Sequence, residues 1–322
     1  MNTVNNKKPF FSVLIPTRNR PTIMQDALHS ILNQNHQSYE IIIINDGSEE
    51  QYIAEYQKNI QLHKDKVTLL SLEKSLNGHG PSYALNMGVA IAKGEYIAFL
   101  DDDDVWTSNT HLAEAQKTIE AEHTDLYLSL QKAYKNDLVL NDEIWLTPLV
   151  KILNSTETTK INIETLLKSN GFSHRNNLII SKLLYNTLKG HDENLRYEED
   201  REFYFRAIDH ADKILFNPSF ISRHNIPNNK ISHLSSSASK IEKQLSRLYL
   251  LDKLFIQSKN TTLIKNIERH KVYTLKLLTE ILYQDKKYLL ASHYSKQALL
   301  LKFTLKWLSF TLYLTIKNIY GS

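Results

Sequence analysis

The sequence predicts an α/β fold: a mostly parallel, doubly wound sheet with flanking helices, followed by a helical appendage. In the first hundred residues, short hydrophobic runs alternate with segments of helical periodicity, as in consecutive βαβ units. Polar clusters follow three of these runs, and no strand pattern occurs after about residue 235. Because ligands on such sheets bind beyond the carboxyl ends of the strands, we expect one cleft to gather the three clusters.

The elements follow in order from the N-terminus. Residues 1–9 are polar, and we expect them to be a disordered tail. Hydrophobic runs predict strands at 11–15, 40–44, 67–70 and 96–100, and the segments between them are predicted to be helices at 21–32, about 50–63 and 82–92. Pro21 at a first helical position and the turn sequence Asn45–Ser48 mark boundaries. A further helix is predicted from Glu198 to Ala211.

Composition limits both the organisation and the class of function. The chain has 322 residues, 42% of them hydrophobic, which is enough for a sizeable core and for one large domain with an appendage or two domains. Because no strand pattern occurs after about residue 235, we predict a domain at 10–234 and a helical region at 235–322. Residues 235–239 are the expected hinge. A net charge of +4 indicates no nucleic-acid partner, and the absence of cysteine excludes disulfides and thiolate metal sites. No signal-peptide core or run of about 20 apolar residues is found, so we expect a cytoplasmic protein.

Four consecutive aspartates, Asp101–Asp104, follow the hydrophobic run 95–100. Carboxylates this close repel one another unless a cation lies among them. Oxygen ligands in a chain without cysteine indicate Mg²⁺ or Mn²⁺. The alternative interpretation of the run alone is a solvated acidic turn.

Four segments together resemble family-two inverting glycosyltransferases with the GT-A fold. They are SVLIPTRNR at 12–20, NDGS at 45–48, GEYIAFLDDDDVW at 94–106 and GHDENLRYEEDREF at 190–203. They occur in the order seen in the family, within about residues 10–230. The resemblance implies transfer of a sugar from a nucleotide-diphosphate donor, with a UDP-sugar expected, to a saccharide or lipid-linked acceptor in cell-surface polysaccharide synthesis.

The resemblance also implies roles for the aspartates. The Asp-x-Asp motif of the family corresponds to Asp101–Asp103, with Asp103 as the direct metal ligand. Asp101 would contact the donor ribose and a metal-bound water, and Asp102 would lie in the donor site. Because four aspartates are consecutive, Asp102 and Asp104 remain alternative ligands.

The nucleotide base and ribose are expected to lie near the first two strands. Asp46 matches the family aspartate that accepts a hydrogen bond from the uracil imide, and the alternative is a simple Asx turn before Gly47. The matching loop residues around the base and ribose are Pro16, Thr17 and Asn19.

The stretch 77–88 is similar to a family segment Asn-x-Gly…Ala-Arg-Asn-x-Gly, which places Asn77 in the donor site. Leu85 stands where arginine is common, so a phosphate contact from this helix is left open, with His79 as a candidate to compensate. The segment 221–225 is similar to a family segment near the diphosphate. It implies a phosphate contact by Arg223 and a metal or phosphate contact by His224.

Inverting transfer needs one carboxylate that takes the proton of the acceptor hydroxyl. Asp200 matches the second residue of the Glu-Asp pair of the family and is the expected base, with Glu199 as the runner-up. Glu198 directly precedes this pair, so the acidic residues offer a second alignment with the family motif. The alternative is that these acids only place negative charge in the first turn of a helix.

We interpret residues 299–320 as one amphipathic helix. Its polar stripe is Lys302, Lys306, Ser309, Tyr313 and Lys317, and its apolar stripe is Leu301, Leu305, Leu308, Leu312 and Ile319. With Trp307, these stripes suit peripheral contact with the inner face of the cytoplasmic membrane. Packing against the helical region, or a homodimer partner, is the alternative.

Two other classes of function compete with a glycosyltransferase. A nucleotidyltransferase on a similar fold should carry a glycine-rich basic loop after the first strand, and 16–20 contains no glycine. A non-catalytic binding module would retain the fold without its chemistry, which the intact acidic set argues against.

Overall fold

The computed structural model describes residues 8–140, 145–226 and 239–320. The contacts divide the chain into two units, Met1–Lys230 and Ile231–Ser322. Most of the predicted tail at 1–9, and the predicted hinge except Ser239, lie outside the described residues. The predicted boundary at residue 235 also falls there, and it stays a prediction.

The first unit contains ten strands and eight α-helices within the described residues. The strands are β1 Phe11–Thr17, β2 Tyr39–Asn45, β3 Val67–Ser71, β4 Tyr96–Phe99, β5 Val105–Trp106, β6 Leu126–Lys135, β7 Leu138–Val139, β8 Thr159–Lys160, β9 Leu178–Ser181 and β10 Ile214–Asn225. The helices are α1 Pro21–Leu32, α2 Glu50–Ile60, α3 Pro81–Ile91, α4 His111–Glu122, α5 Pro148–Leu153, α6 Ile163–Leu167, α7 Lys182–Thr187 and α8 Glu199–His210.

These strands form one mixed sheet in the order β3-β2-β1-β4-β9-β6-β10-β5, with β7 on β6 and β8 on β10. The first four strands are parallel, as predicted, and β10 is parallel to β6. Strand β9 runs antiparallel to both β4 and β6. The residues just before β9 therefore lie beside those just after β4, which brings the turn at 174–177 to the aspartate run.

The parallel part of the sheet is covered on both faces, which explains its continuous hydrophobic runs. All four isoleucines of β2, residues 41–44, are at most 1% exposed. Gly47 makes the turn after β2 possible, because its φ is +62° and an added Cβ would lie 2.5 Å from the carbonyl oxygen of Glu73. That turn carries Asp46 to the edge of the sheet.

The second unit is helical throughout its described residues, as predicted. Its helices are α9 Lys240–Gln257, α10 Thr261–Gln284, α11 Tyr288–Leu301 and α12 Leu305–Tyr320. Their core includes Leu248, Leu275, Leu278, Leu282, Ala291, Ala298, Trp307 and Leu314. No described helix is both long enough and apolar enough to cross a membrane.

The prediction of one helix over 299–320 is wrong. Lys302 is extended, with φ −145° and ψ 99°, and ends α11. Thr304 directly precedes α12, and its hydroxyl accepts a hydrogen bond from the backbone N–H of Trp307 at 3.3 Å, as an N-cap residue does. Trp307 is buried and donates from Nε1 to the Ser295 carbonyl at 3.0 Å. It is therefore a core residue, and it does not face outward beside the lysines.

Candidate active site

The loops after β1, β2 and β4 meet at one edge of the sheet, as predicted. Thr17 at the end of β1 donates from Oγ1 to Asp102 Oδ2 at 2.7 Å. The backbone N–H of Asp46 donates to the Thr17 carbonyl at 2.9 Å. Thr17 thus joins the predicted base-binding loop to the aspartate run.

Asp46 is fixed by the loop after β3. Its carboxylate accepts hydrogen bonds from the backbone N–H of His79, at 2.8 and 3.0 Å, and of Gly80, at 2.9 Å. The Asx interaction of this turn belongs to Asn45, whose Oδ1 accepts from the Ser48 N–H at 3.0 Å. The carboxylate of Asp46 therefore takes part in a loop-to-loop contact, which a simple Asx turn would not require.

Other residues of the predicted base and ribose loops lie in this region too. Asn19 has φ +57°, donates from its N–H to Ser48 Oγ and accepts from the Glu49 N–H at Oδ1, both at 2.8 Å. Pro16 is half-buried at the end of β1, and Asn77 is exposed in the loop that holds Asp46. Leu85 is fully buried in α3, so this position supplies no phosphate contact.

The two ends of the aspartate run are fastened by one side chain. Asn176 Oδ1 accepts from the backbone N–H of Asp101 at 2.9 Å, and Asn176 Nδ2 donates to Asp104 Oδ2 at 2.5 Å. Asp104 is fully buried, and its Oδ1 also accepts from the Asn225 N–H at 2.7 Å. The turn between Asp101 and Asp104 is thereby held in one conformation.

Basic groups surround Asp101. Its Oδ1 lies 3.2 Å from Arg175 Nε, and its Oδ2 lies 3.6 Å from His174 Nε2. Burial opposes ionisation, but Arg175, His174 and His224 together lower the pKa of Asp101 below its usual value. Asp101 is therefore a carboxylate at neutral pH.

The two central aspartates are less well compensated. Arg20 Nη1 lies 3.3 Å from Asp102 Oδ1 and 3.2 Å from Asp103 Oδ2. Burial raises the pKa of Asp102 to about 6, and burial together with the neighbouring aspartates raises the pKa of Asp103 to about 7. Burial is the largest cause at both aspartates, and the neighbouring carboxylates add to it at Asp103, so a bound metal ion would favour the ionised form of each.

Among the described residues, one group of three side chains could hold a metal ion. It consists of Asp104, His174 and His224, whose ligand atoms lie within 4.8 Å of one another. His224 Nδ1 is 2.8 Å from Asp104 Oδ2. The predicted ligand His224 belongs to this group, whereas Asp101 and Asp103 lie outside it. A carboxylate with two imidazoles suits Mn²⁺ better than Mg²⁺, which prefers oxygen ligands, so these residues fit a divalent ion.

The two histidines of this group differ in charge state. Burial lowers the pKa of His174. Burial acts in the same direction on His224, but Asp104, Asp101 and Asp103 outweigh it and raise the pKa of His224 to about 9. At neutral pH His174 is therefore neutral, whereas His224 is protonated and lies within hydrogen-bond distance of Asp104.

The predicted catalytic carboxylates begin helix α8. Glu199 is buried and accepts a hydrogen bond at Oε1 from Arg175 Nη2 at 2.8 Å. Burial raises the pKa of Glu199 to about 7, with Arg175 opposing it. Asp200 Oδ2 lies 3.8 Å from His174 Nε2. Of the two acids, Asp200 thus faces the metal-capable group and Glu199 is committed to Arg175.

Arg223 is already engaged by the protein. Its guanidinium pairs with Asp137 at 2.5 Å, donates from Nε to Asn225 at 2.7 Å and lies 4.4 Å from the centre of the Tyr134 ring. It also lines a cavity of about 1010 Å³ beside α1 and β5. Its phosphate contact stays a prediction.

Sequence reasoning missed His174, Arg175 and Asn176. A signal existed in the polar residues 173–177 that precede the hydrophobic residues 178–180. These polar residues stand at the amino end of a strand, where the rule for parallel sheets expects no site. Only the antiparallel pairing of β9 with β4 brings them to the aspartates.

This fold and this acidic, metal-capable edge define the class of GT-A glycosyltransferases. Residues 12–188, more than half of the chain, match the family model described as Glycosyl transferase family 2. The chain therefore belongs to glycosyl transferase family 2.

Curated relatives agree with this assignment. A protein of Rickettsia typhi (strain ATCC VR-144 / Wilmington), described as an uncharacterized glycosyltransferase, is 29% identical over 211 residues, which are 63% of this chain and 60% of that protein. The poly(ribitol-phosphate) β-N-acetylglucosaminyltransferase TarS of Staphylococcus aureus (strain MW2) is 27% identical over 212 residues, 63% of this chain and 33% of TarS. The chain thus spans less than two thirds of either relative.

Solved structures confirm the fold. S. aureus TarS 1–349 in complex with UDP-GlcNAc superposes with a TM-score of 0.61 and 20% identity, covering 92% of this chain and 76% of that one. The mannosyltransferase PcManGT from Pyrobaculum calidifontis, in complex with GDP-Man and Mn²⁺, gives a TM-score of 0.61 and 14% identity, covering 98% and 89%. At such identities the likeness establishes the GT-A fold alone.

Proposed function

We propose that this glycosyltransferase is metal-dependent and inverting. It moves a sugar from a UDP-sugar to a hydroxyl of a saccharide or lipid-linked acceptor in cell-surface polysaccharide synthesis. One observation carries the proposal: His174 Nε2 lies 3.6 Å from Asp101 Oδ2 and 3.8 Å from Asp200 Oδ2. Asp101 on the donor side and Asp200, the candidate base, therefore both lie close to the imidazole of His174.

Asp46 supports recognition of the nucleotide base. Its carboxylate is an acceptor held by two backbone N–H groups, and it suits a base that presents a ring N–H. Uracil and guanine present one, whereas adenine and cytosine present an acceptor nitrogen. TarS was solved with UDP-GlcNAc and PcManGT with GDP-Man, so UDP and GDP are the two nucleotides to compare.

The ion would be held by Asp104, His174 and His224, with Asp103 and Asp101 as the neighbouring carboxylates. When bound, a divalent ion neutralises the charge that develops on a departing diphosphate. Imidazole in the ligand set favours Mn²⁺ over Mg²⁺. Arg20, paired with Asp102 and Asp103, supplies a positive charge on the side of the β1 loop.

Asp200 is the group that takes the proton of the acceptor. As the acceptor oxygen forms its bond to the anomeric carbon, the bond from that carbon to the diphosphate oxygen breaks and the proton passes to Asp200. A single displacement of this kind inverts the configuration at the anomeric carbon. Glu199 is less suited because Arg175 holds its carboxylate.

Calorimetric titration with UDP or GDP, in Mn²⁺ and in EDTA, tests donor and metal together. We expect UDP to bind more tightly than GDP, and binding to weaken strongly in EDTA. Equal affinity in Mn²⁺ and EDTA would rule out the metal role. Release of UDP from UDP-GlcNAc in the presence of Mn²⁺ then separates an enzyme from a binding module, which would bind the nucleotide without turnover.

A further inference from the structure

Arg175 occupies the junction between the donor side of the site and the helix that carries the candidate base. It lies in a 3-10 turn, Arg175–Asn177, that leads into β9. Because β9 is antiparallel to β4, this turn lies beside the aspartates that follow β4. The side chain of Arg175 is only 11% exposed.

The guanidinium of Arg175 joins two carboxylates from separate elements. Its Nε lies 3.2 Å from Asp101 Oδ1, and its Nη2 donates to Glu199 Oε1 at 2.8 Å. Arginine presents its N–H groups in a rigid planar fork, so the hydrogen bond to Glu199 and the ion pair with Asp101 together restrain the separation of the two carboxylates. Lysine, a single point charge on a flexible stem, cannot reproduce that geometry.

The start of helix α8 needs such a restraint. Glu198, the residue before the helix, has φ +62°, a left-handed conformation that non-glycine residues adopt only when surrounding contacts hold it. Glu199 follows as the first helical residue, and Asp200 comes directly after it. A contact that anchors Glu199 therefore also sets the position of Asp200.

We propose that Arg175 is a positioning residue that holds the start of helix α8 against Asp101 and so fixes Asp200 at the distance the transfer requires. This role rests on the proposed function of Asp200 as the base. Displacement of a reacting group by about 1 Å typically costs about 10²-fold in rate.

Two measurements on Arg175→Met test the role, with Arg196→Met as the matched control, because Arg196 is an exposed arginine of the loop before α8. The first is UDP release from UDP-GlcNAc with Mn²⁺. We expect kcat to fall about 10²-fold in Arg175→Met with little change in KM for the donor, and no change in the control. Arg175→Lys should recover only part of the loss.

The second measurement does not depend on turnover. Hydrogen–deuterium exchange of the peptide at the start of α8 should be faster in Arg175→Met than in wild type, and unchanged in Arg196→Met. Glu199→Gln should produce a similar drop in kcat, and the double variant should fall no further, since both changes break one contact.

The outcomes separate this proposal from the proposed function. A wild-type protein without turnover argues against the proposed function, while exchange still reports whether Arg175 restrains the helix. Wild-type exchange and kcat in Arg175→Met would overturn the positioning role. Weaker UDP binding with unchanged kcat would overturn it too, since Arg175 would then be a donor contact.

Discussion

Asn176 donates a hydrogen bond to Asp104 at 2.5 Å across 72 residues of sequence. The same side chain accepts from the N–H of Asp101, so one buried amide holds both ends of the aspartate run. The geometry of the acidic edge thus depends on the side chain of Asn176.

Replacing Asn176 with Ala should weaken metal-dependent UDP binding by about 10- to 100-fold, as expected when a residue that orients a metal ligand is lost. Calorimetry with UDP and Mn²⁺ measures the effect. Asn194→Ala, at an exposed position before α8, is the matched control and should bind like wild type. Wild-type affinity in Asn176→Ala would show that the aspartate turn holds its shape without the amide.

Asp103→Ala and Asp200→Asn should fail in different steps. Asp103 belongs to the acidic edge, so its loss should reduce UDP affinity in Mn²⁺. Asp200→Asn should keep that affinity and lose about 10² to 10⁴ in transfer rate, because a base acts only when the proton moves. Near wild-type turnover in Asp200→Asn would contradict the role of Asp200 and make Glu199 the candidate base.

His111 should make the fold sensitive to acid. It is fully buried between Trp106 and Tyr127, and burial lowers its pKa from 6.5 to about 3. Between these values the unfolded chain binds a proton that the folded chain does not, so the free energy of unfolding falls as pH decreases. At pH 5 the loss is about 2 kcal/mol.

Denaturant unfolding at pH 7 and pH 5 checks this expectation. His111→Phe should remove about 2 kcal/mol of the decrease between the two pH values, whereas the exposed His29→Phe should leave it unchanged. An identical decrease in His111→Phe and wild type would place the acid sensitivity in other groups.

We expect α12 to associate with anionic membranes through the exposed members of the apolar stripe predicted from the sequence, together with Ile316 and without Trp307. Trp307 and Leu314 are core residues, but Leu305, Leu312, Ile316 and Ile319 are each more than half exposed, and Lys302 and Lys306 are exposed nearby. Co-sedimentation with phosphatidylglycerol vesicles should therefore decrease as salt rises.

The double variant Leu312→Gln and Ile316→Gln should reduce vesicle binding, and Leu62→Gln, at an 88% exposed leucine of the first unit, should not. Deleting the helix is unsuitable, because its buried residues complete the core of the second unit. If neither variant changes vesicle binding but the double variant abolishes a dimer in sedimentation velocity, this face is a homodimer surface.

Local sequence patterns determined most of the secondary structure around the parallel strands and the position of the acidic edge. The parallel strands β1 to β4, their helices and the acidic edge were all predicted, because hydrophobic periodicity and turn residues act within a few positions of one another. The order of four motifs also indicated the family, which residues 12–188 confirm. The sequence also shows that Leu85 departs from the motif, and this residue is buried in α3.

Tertiary structure alone decided how the site is assembled. The four consecutive aspartates differ in their surroundings, because Arg175, Arg20 and His224 contact different members of the run from elements that are distant in sequence. Local periodicity contains no information about the antiparallel return of β9 or the path of β10, which are set by pairing across the whole sheet. For the same reason, the stripes at 299–320 could not reveal that Trp307 belongs to the core: burial depends on which helices pack together.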